Sequence, residues 1–387
     1  MCSLGPWAAA RSLSSRSMEG TVLVVGLGHI GSLVADLLAE DGYRVIGLDA
    51  DRATTSMNGV EVVRAEVSSP TEVTAHLAAA DAVISCLPLQ LNIAVARAAC
   101  AQGVHYLDLT EDRATTREVK ALAADADAAL IPQCGLAPGF VCIVAADLTR
   151  SFTELAALRL RVGALPQAAS GRLAYAVNWS AAGVINEYLN DCDVIRDGKR
   201  AQTPALTDLE QLVIDGVPLE AFATSGGLGT LCETFEGRCR ELNYKTLRYR
   251  GHRDAMQFLL HEVGLGRQRE LAEALLLQSS PPTPDDVVYV SVGAEGLIDG
   301  AQHSRRFLRS YRPRVINGHQ RTAISWTTAT SACAVVELVL TGAIPNRGLV
   351  RQEEIPLEAF SETGFGRRLA DSVVGVAGAG APHPASG

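Results

Sequence analysis

The chain is predicted to fold as an α/β protein, a doubly wound parallel sheet followed by a second α+β domain. Three observations carry this expectation. Strands alternate with helices through about the first 140 residues; the first strand breaks into a glycine-rich turn that opens a helix; and after about residue 150 the pattern changes to strands separated by glycine-containing turns. At 387 residues, with 48% hydrophobic and 20% charged residues, the chain exceeds the usual single-domain size, so two domains are expected.

The first strand, residues 21–25, runs into Gly26-Leu27-Gly28-His29-Ile30-Gly31 and then into the helical pattern Leu33, Val34, Leu37, Leu38. In that order the G-x-G-x-x-G spacing has a mechanical meaning. Gly26 permits the tight turn, Gly28 lets backbone approach a pyrophosphate, and Gly31 lets helix and strand pack closely. The phosphates then sit at the positive end of the helix, against the turn that carries His29 and Ile30. A dinucleotide-binding Rossmann unit is expected. A second strand over 43–48 ends in Asp49, placed where a carboxylate accepts from both ribose hydroxyls and repels a 2′-phosphate. NAD is therefore expected over NADP. Arg52 has two readings, as a ligand of a 2′-phosphate or as a solvated loop residue.

The alternation continues with strands at 60–63, 82–86, 104–109 and 128–132 and helices at 70–79, 92–102 and 115–125. Ligands of such a sheet lie beyond the carboxyl ends of its strands, so Cys86-Leu87-Pro88, residues 108–112 and residues 133–139, with Leu136, should face the cofactor. In the second domain, strands are expected at 155–162, 173–179, 193–195, 245–249 and 287–292. The apolar stretch 327–340, stopped by Gly342, reads as a helix that returns to the first domain. The expected division is a disordered extension over 1–17, a Rossmann domain over 18–140 completed by 325–372, a substrate domain over 141–324, and a disordered Gly/Ala/Pro tail over 373–387.

The net charge of −9 is modest and dispersed, which argues against a nucleic-acid surface or a polybasic membrane anchor. No uninterrupted apolar run reaches about 18 residues, so no membrane span is expected. Nine scattered cysteines without a C-x-x-C pair fit a reduced cytoplasmic protein with no metal site. Residues 1–17, with Arg11, Arg16, several serines and no acid, are the one feature that favours mitochondrial targeting instead.

A redox enzyme of this build needs a base and a means of orienting its substrate. The candidates are Asp108 at a strand's carboxyl end, with helix capping alongside Thr110 as the structural alternative; the loop Thr224-Ser225-Gly226-Gly227, whose N–H groups can meet a carboxylate; and the turn containing Arg248, Arg250 and His252. Cys134 reads as a packed thiol.

Several of these segments together resemble the saccharopine dehydrogenase family, in particular its lysine 6-dehydrogenase branch. They are Asp81-Ala82-Val83-Ile84-Ser85-Cys86-Leu87-Pro88, Gly135-Leu136-Ala137-Pro138-Gly139, residues 179–188 (Trp-Ser-Ala-Ala-Gly-Val-Ile-Asn-Glu-Tyr), Thr224-Ser225-Gly226-Gly227 and residues 245–252 (Lys-Thr-Leu-Arg-Tyr-Arg-Gly-His). The match runs in order from about Val22 to Arg368. Ala137 stands where the glutamate-forming saccharopine enzymes carry an aspartate. The resemblance implies NAD(P)-dependent oxidation at an amine-bearing carbon, here the ε-amine of lysine. It implies Asp108 or His252 as base, Thr224, Ser225, Gly226, Gly227 and Arg248 or Arg250 as holders of the α-carboxylate, and Asn178 and Trp179 as pocket walls. A homodimer or homotetramer is expected. A saccharopine-type or other secondary-amine-forming reductase, and a non-catalytic NAD sensor, remain alternatives.

Overall fold

In the computed structural model, residues 20–51, 57 and 59–370 are described; Arg52, residues 1–17 and the tail over 373–387 lie outside them. The β-branched run Thr21–Val25 forms β1, fully buried from its second residue on, and His29–Glu40 forms α1. There follow β2 (Arg44–Asp49), β3 (Val60–Arg64), α2 (Pro70–Leu77), β4 (Ala82–Ser85), α3 (Asn92–Gln102), β5 (His105–Asp108), α4 (Arg113–Leu122), β6 (Ala129–Ile131) and α5 (Phe140–Thr149). The second half supplies β7 (Glu154–Pro166), α6 (Ala181–Leu189), β8 (Cys192–Arg196), β9 (Lys199–Thr203), β10 (Glu210–Ile214), β11 (Val217–Ala223), α7 (Leu231–Phe235), β12 (Cys239–Tyr249), α8 (His252–Gln257) and α9 (Arg269–Ser279). It closes with β13 (Asp286–Ile298), β14 (Ala301–Tyr311), β15 (Arg314–Ile316), β16 (His319–Arg321), α10 (Ala323–Leu340), β17 (Gly348–Leu349), α11 (Leu357–Glu362) and α12 (Gly364–Ala370).

Two sheets organise the chain. The first is parallel throughout, in the order β17-β6-β5-β4-β1-β2-β3, so the order reverses between β1 and β4, where a ligand crevice is expected in a doubly wound sheet. The second is mixed, in the order β10-β11-β12-β7-β13-β14 with β8 and β9 attached to β12; β12 and β7 run parallel and the other pairs antiparallel. A single apolar cluster joins them, taking in Val22 and Ile84 of the first sheet, Leu158 and Val290 of the second, and most of α10.

That helix is the knot of the molecule. α10 is 18 residues long and apolar enough to cross a bilayer by length and composition, but 83% of it is buried inside the protein, as in a core helix. It packs along α1, where the Cys333 thiol donates to the Val34 carbonyl at 3.8 Å, and Ser331 donates to the Gly135 carbonyl at 2.9 Å. Its first turn is held by Asp286, whose carboxylate accepts from the N–H groups of Ala323 (2.5 Å) and Ile324 (3.0 Å).

One expected strand is absent. Residues 173–179 alternate apolar and small or polar side chains, but Ala174 has φ of +47° and the Val177 N–H bonds to the Ser280 carbonyl rather than to a ladder. The alternating side chains instead pack into a satellite core with α6 and α9. Strands β9, β10, β11, β14, β15, β16 and β17 were not expected.

Candidate functional site

The glycine loop has the shape its spacing implies. Gly26 has φ +89°, and a Cβ there would lie 2.9 Å from Leu87; a Cβ on Gly31 would lie 1.8 Å from the Gly26 carbonyl oxygen. Around Gly28 nothing lies within 4 Å of such a Cβ, so the backbone is bare where a pyrophosphate must approach. Asp49 ends β2 beside this loop, accepting from the N–H of Leu27 at 2.7 Å and of Asp51 at 3.0 Å. The residues present fit a nicotinamide dinucleotide: an open glycine, a helix N-terminus behind it, and a carboxylate one strand away.

From this loop a cleft of about 860 Å³ extends to the mixed sheet, within the range typical of small-molecule sites. Gly28, His29, Ile30, Cys86, Leu87, Pro88 and Leu136 line its cofactor side. Burial, reinforced by Arg321 and opposed by Asp286, lowers the pKa of His29 and favours a neutral ring at the entrance. Opposite stand Asn178 and Trp179 from the segment before α6, Tyr244, Thr246 and Arg248 from β12, and two acids, Glu111 and Glu187. Asn178 accepts from the Thr283 N–H at 2.8 Å, fixing the 282–284 segment that also lines the cleft.

Alternation along β12 puts Tyr244, Thr246 and Arg248 on one face of the sheet. Arg248 is 3% exposed, the single guanidinium among the described residues that line the cleft. Its Nε donates to the Tyr188 hydroxyl at 3.0 Å and Nη1 to the Leu247 carbonyl at 2.8 Å. Glu187, on α6, is buried too. Loss of solvent and the neighbouring Glu111 push its pKa up to about 8, against the pull of Arg248. Burial likewise raises Glu111, with Asp112 and Asp108 adding to the rise and a backbone N–H opposing it. The cleft thus offers one fixed cation and two carboxyl groups that burial holds above the usual carboxylate range, Glu187 at about 8.

Several expected site residues sit elsewhere. Asp108 lies beneath the cleft, not in it: Tyr106 Oη (2.9 Å) and the N–H groups of Gln133 (2.9 Å) and Thr110 (3.1 Å) all donate to it, so it ties β5 to the 133–139 loop. Burial raises its pKa to about 6 against those bonds. His252 is enclosed behind Arg248, where burial and the adjacent guanidinium depress its pKa to about 3, so it is no base for a substrate in the cleft. Arg250 is exposed and outside the cleft, since it falls past the end of β12. Thr224, Ser225, Gly226 and Gly227 do not line it either. They brace it from behind: Ser225 N–H donates to the Glu187 carbonyl at 3.1 Å, while Cβ atoms on Gly226 and Gly227 would lie 2.9 Å from Glu111 and 2.4 Å from the Tyr244 ring. Glu187 and Tyr244 were not among the expected site residues, although they stand inside or next to the quoted segments; Glu111 lies in the 108–112 stretch expected at the cofactor, where the role was given to Asp108 instead.

A Rossmann sheet with an open glycine at its switch point, facing a charged cleft in a second domain, defines an NAD(P)-binding oxidoreductase. Residues 22–131 match the family model described as the saccharopine dehydrogenase NADP binding domain, and residues 135–366 match the saccharopine dehydrogenase C-terminal domain. The chain belongs to the saccharopine dehydrogenase family. Mitochondrial alpha-aminoadipic semialdehyde synthase of Mus musculus is 24% identical over 288 residues, which cover 70% of this chain and 31% of that protein, so the chain spans under a third of that relative. The apo histidine-tagged saccharopine dehydrogenase (L-Glu forming) from Saccharomyces cerevisiae has the same fold, with a TM-score of 0.69 at 17% identity over 91% of this chain and 97% of that one.

Proposed function

We propose that the protein is an NAD-dependent lysine 6-dehydrogenase, oxidising the ε-amine of L-lysine to the aldehyde with release of ammonia. The observation that carries this reading is the charge of the cleft: one buried guanidinium, Arg248, against two carboxyl groups, Glu111 and Glu187. Lysine brings one carboxylate and two amines, which that set complements. Saccharopine brings three carboxylates, for which a single arginine is too few, and Ala137 adds no polar group.

In this reading Arg248 holds the α-carboxylate and Glu187 takes a proton from the ε-ammonium, because only a neutral amine can support loss of hydride from its carbon. Gly26, Gly28, Gly31 and the first turn of α1 would hold the dinucleotide, which supplies the hydride acceptor. Water then hydrolyses the imine to aldehyde and ammonia, and the aldehyde cyclises with the α-amine. Asp49, which ends β2 beside the glycine loop, supports the reading of NAD over NADP, because a carboxylate at that strand end repels a 2′-phosphate.

The test is a spectrophotometric screen of NAD and NADP against lysine, ornithine, saccharopine and polyamines. Lysine with NAD is expected to give reduced cofactor and ammonia. Turnover of saccharopine with lysine ignored would overturn the substrate while leaving the cofactor site intact.

A further inference from the structure

We infer that Tyr188 and His252 are positioning residues for Arg248, forming a buried relay that closes its Nε edge and leaves its terminal Nη atoms to meet the substrate. The inference rests on the reading of Arg248 as carboxylate holder. The relay starts from a group that can only accept. The Leu173 carbonyl oxygen lies 2.8 Å from His252 Nδ1, so Nδ1 carries the proton of the neutral ring. His252 Nε2 is then bare, 3.0 Å from the Tyr188 hydroxyl, which must donate to it. With its proton committed, the hydroxyl oxygen accepts from Arg248 Nε–H at 3.0 Å. Every proton in the row has one permitted place. The other neutral tautomer would set a bare Nδ1 against the carbonyl oxygen and turn the phenol proton toward a guanidinium that cannot accept it.

Packing holds the row in line. The His252 ring stacks on Phe222 at 6.3 Å and 10°, with Tyr175 and Tyr188 edge-on at 5.2 and 5.8 Å. The guanidinium lies over the Tyr175 ring at 4.6 Å, and its Nη1 is anchored on the Leu247 carbonyl. Two of its five N–H donors are thereby used, at Nε and at Nη1, and three remain for a ligand in the cleft. A carboxylate cannot take the Nε side, because Tyr188 occupies it. It is met through the Nη atoms, in one orientation.

Tyr188→Phe removes one hydroxyl, and His252→Phe keeps a ring against Phe222 while depriving Tyr188 of its acceptor. The probes are lysine and its carboxamide, lysinamide, titrated against the enzyme with its nicotinamide dinucleotide bound, with KM and kcat for lysine measured alongside. Wild-type enzyme is expected to bind lysine at least about tenfold more tightly than lysinamide, the scale of a charge-assisted hydrogen bond. Both variants should lose most of that preference, with KM for lysine rising by more than kcat falls. A wild-type enzyme that treats the two probes alike overturns the carboxylate reading and the relay with it. A wild type that discriminates while the variants keep the full preference overturns the relay alone. Should His252→Phe fail to fold, Tyr188→Phe decides the matter with a second measurement: the Arg248 Nε–H resonance, slow to exchange in the wild type, must lose its protection.

Discussion

Whether a carboxyl group does chemistry or carpentry turned, at β5, on a difference of three positions. Asp108 and Glu111 follow one another past the same strand end, yet Asp108 is bound by three donors beneath the cleft and Glu111 lines it. Sequence offered both and favoured the first, because a strand's carboxyl end is where catalytic groups are sought. Arg248 was legible from its basic, aromatic turn; Arg250 looked equivalent until the strand's end separated them. If Glu187 is the base, Glu187→Gln should lower kcat by about 10²- to 10⁴-fold, the usual worth of general-base catalysis. The base works deprotonated and its pKa is pushed up to about 8, so the wild-type rate should climb as pH rises through about 8, and steady-state pH profiles of the variant should lack that limb. Beside the glycine loop, Asp49→Ala should weaken NAD by about 1 to 3 kcal/mol while harming NADP less, as titration of each cofactor will report. Equal NAD affinity in mutant and parent removes Asp49 from the site.

Among the elements, those with a strong period and a buried face were readable. β1, α1, β4, α3 and α10 stand within a few residues of where periodicity puts them. Those that the sequence concealed are polar or exposed: β9 and β14 carry mostly charged and polar residues along open surface, and their strand character comes from the partners they pair with. The 173–179 segment failed in the opposite sense, having the period but no neighbour to pair with. The loop 224–227 shows how an element can shape a site without touching the ligand. Since a Cβ on Gly227 would meet the Tyr244 ring at 2.4 Å, Gly227→Ala should push that ring toward the cleft, raising KM for lysine and lowering the unfolding temperature together. Unchanged KM with unchanged stability would show that Tyr244 can yield at no cost.

At the scale of the molecule, the two sheets are bound by a shared core, so neither lobe is a free-standing unit. The alternation of strands and helices made the parallel sheet legible, but β17, two residues long, has no signal of its own and exists because β6 offers it a ladder. A fragment of residues 18–145 would lack α10 and β17 and leave the apolar side of α1, with Leu33, Val34 and Leu37, facing water. It should aggregate or melt well below the full chain in a thermal scan. A soluble fragment that binds NAD would show that the glycine loop needs no support from α10.

This arrangement also sets an order in time. The glycine loop precedes its support in the chain: the helix packed against α1 is translated some three hundred residues after it and the sheet's last strand later still. Throughout that interval the dinucleotide loop rests on a helix whose inner side is uncovered. If the glycine loop needs that support, cofactor capture waits for α10, and the nascent chain offers chaperones an apolar stripe until that helix arrives.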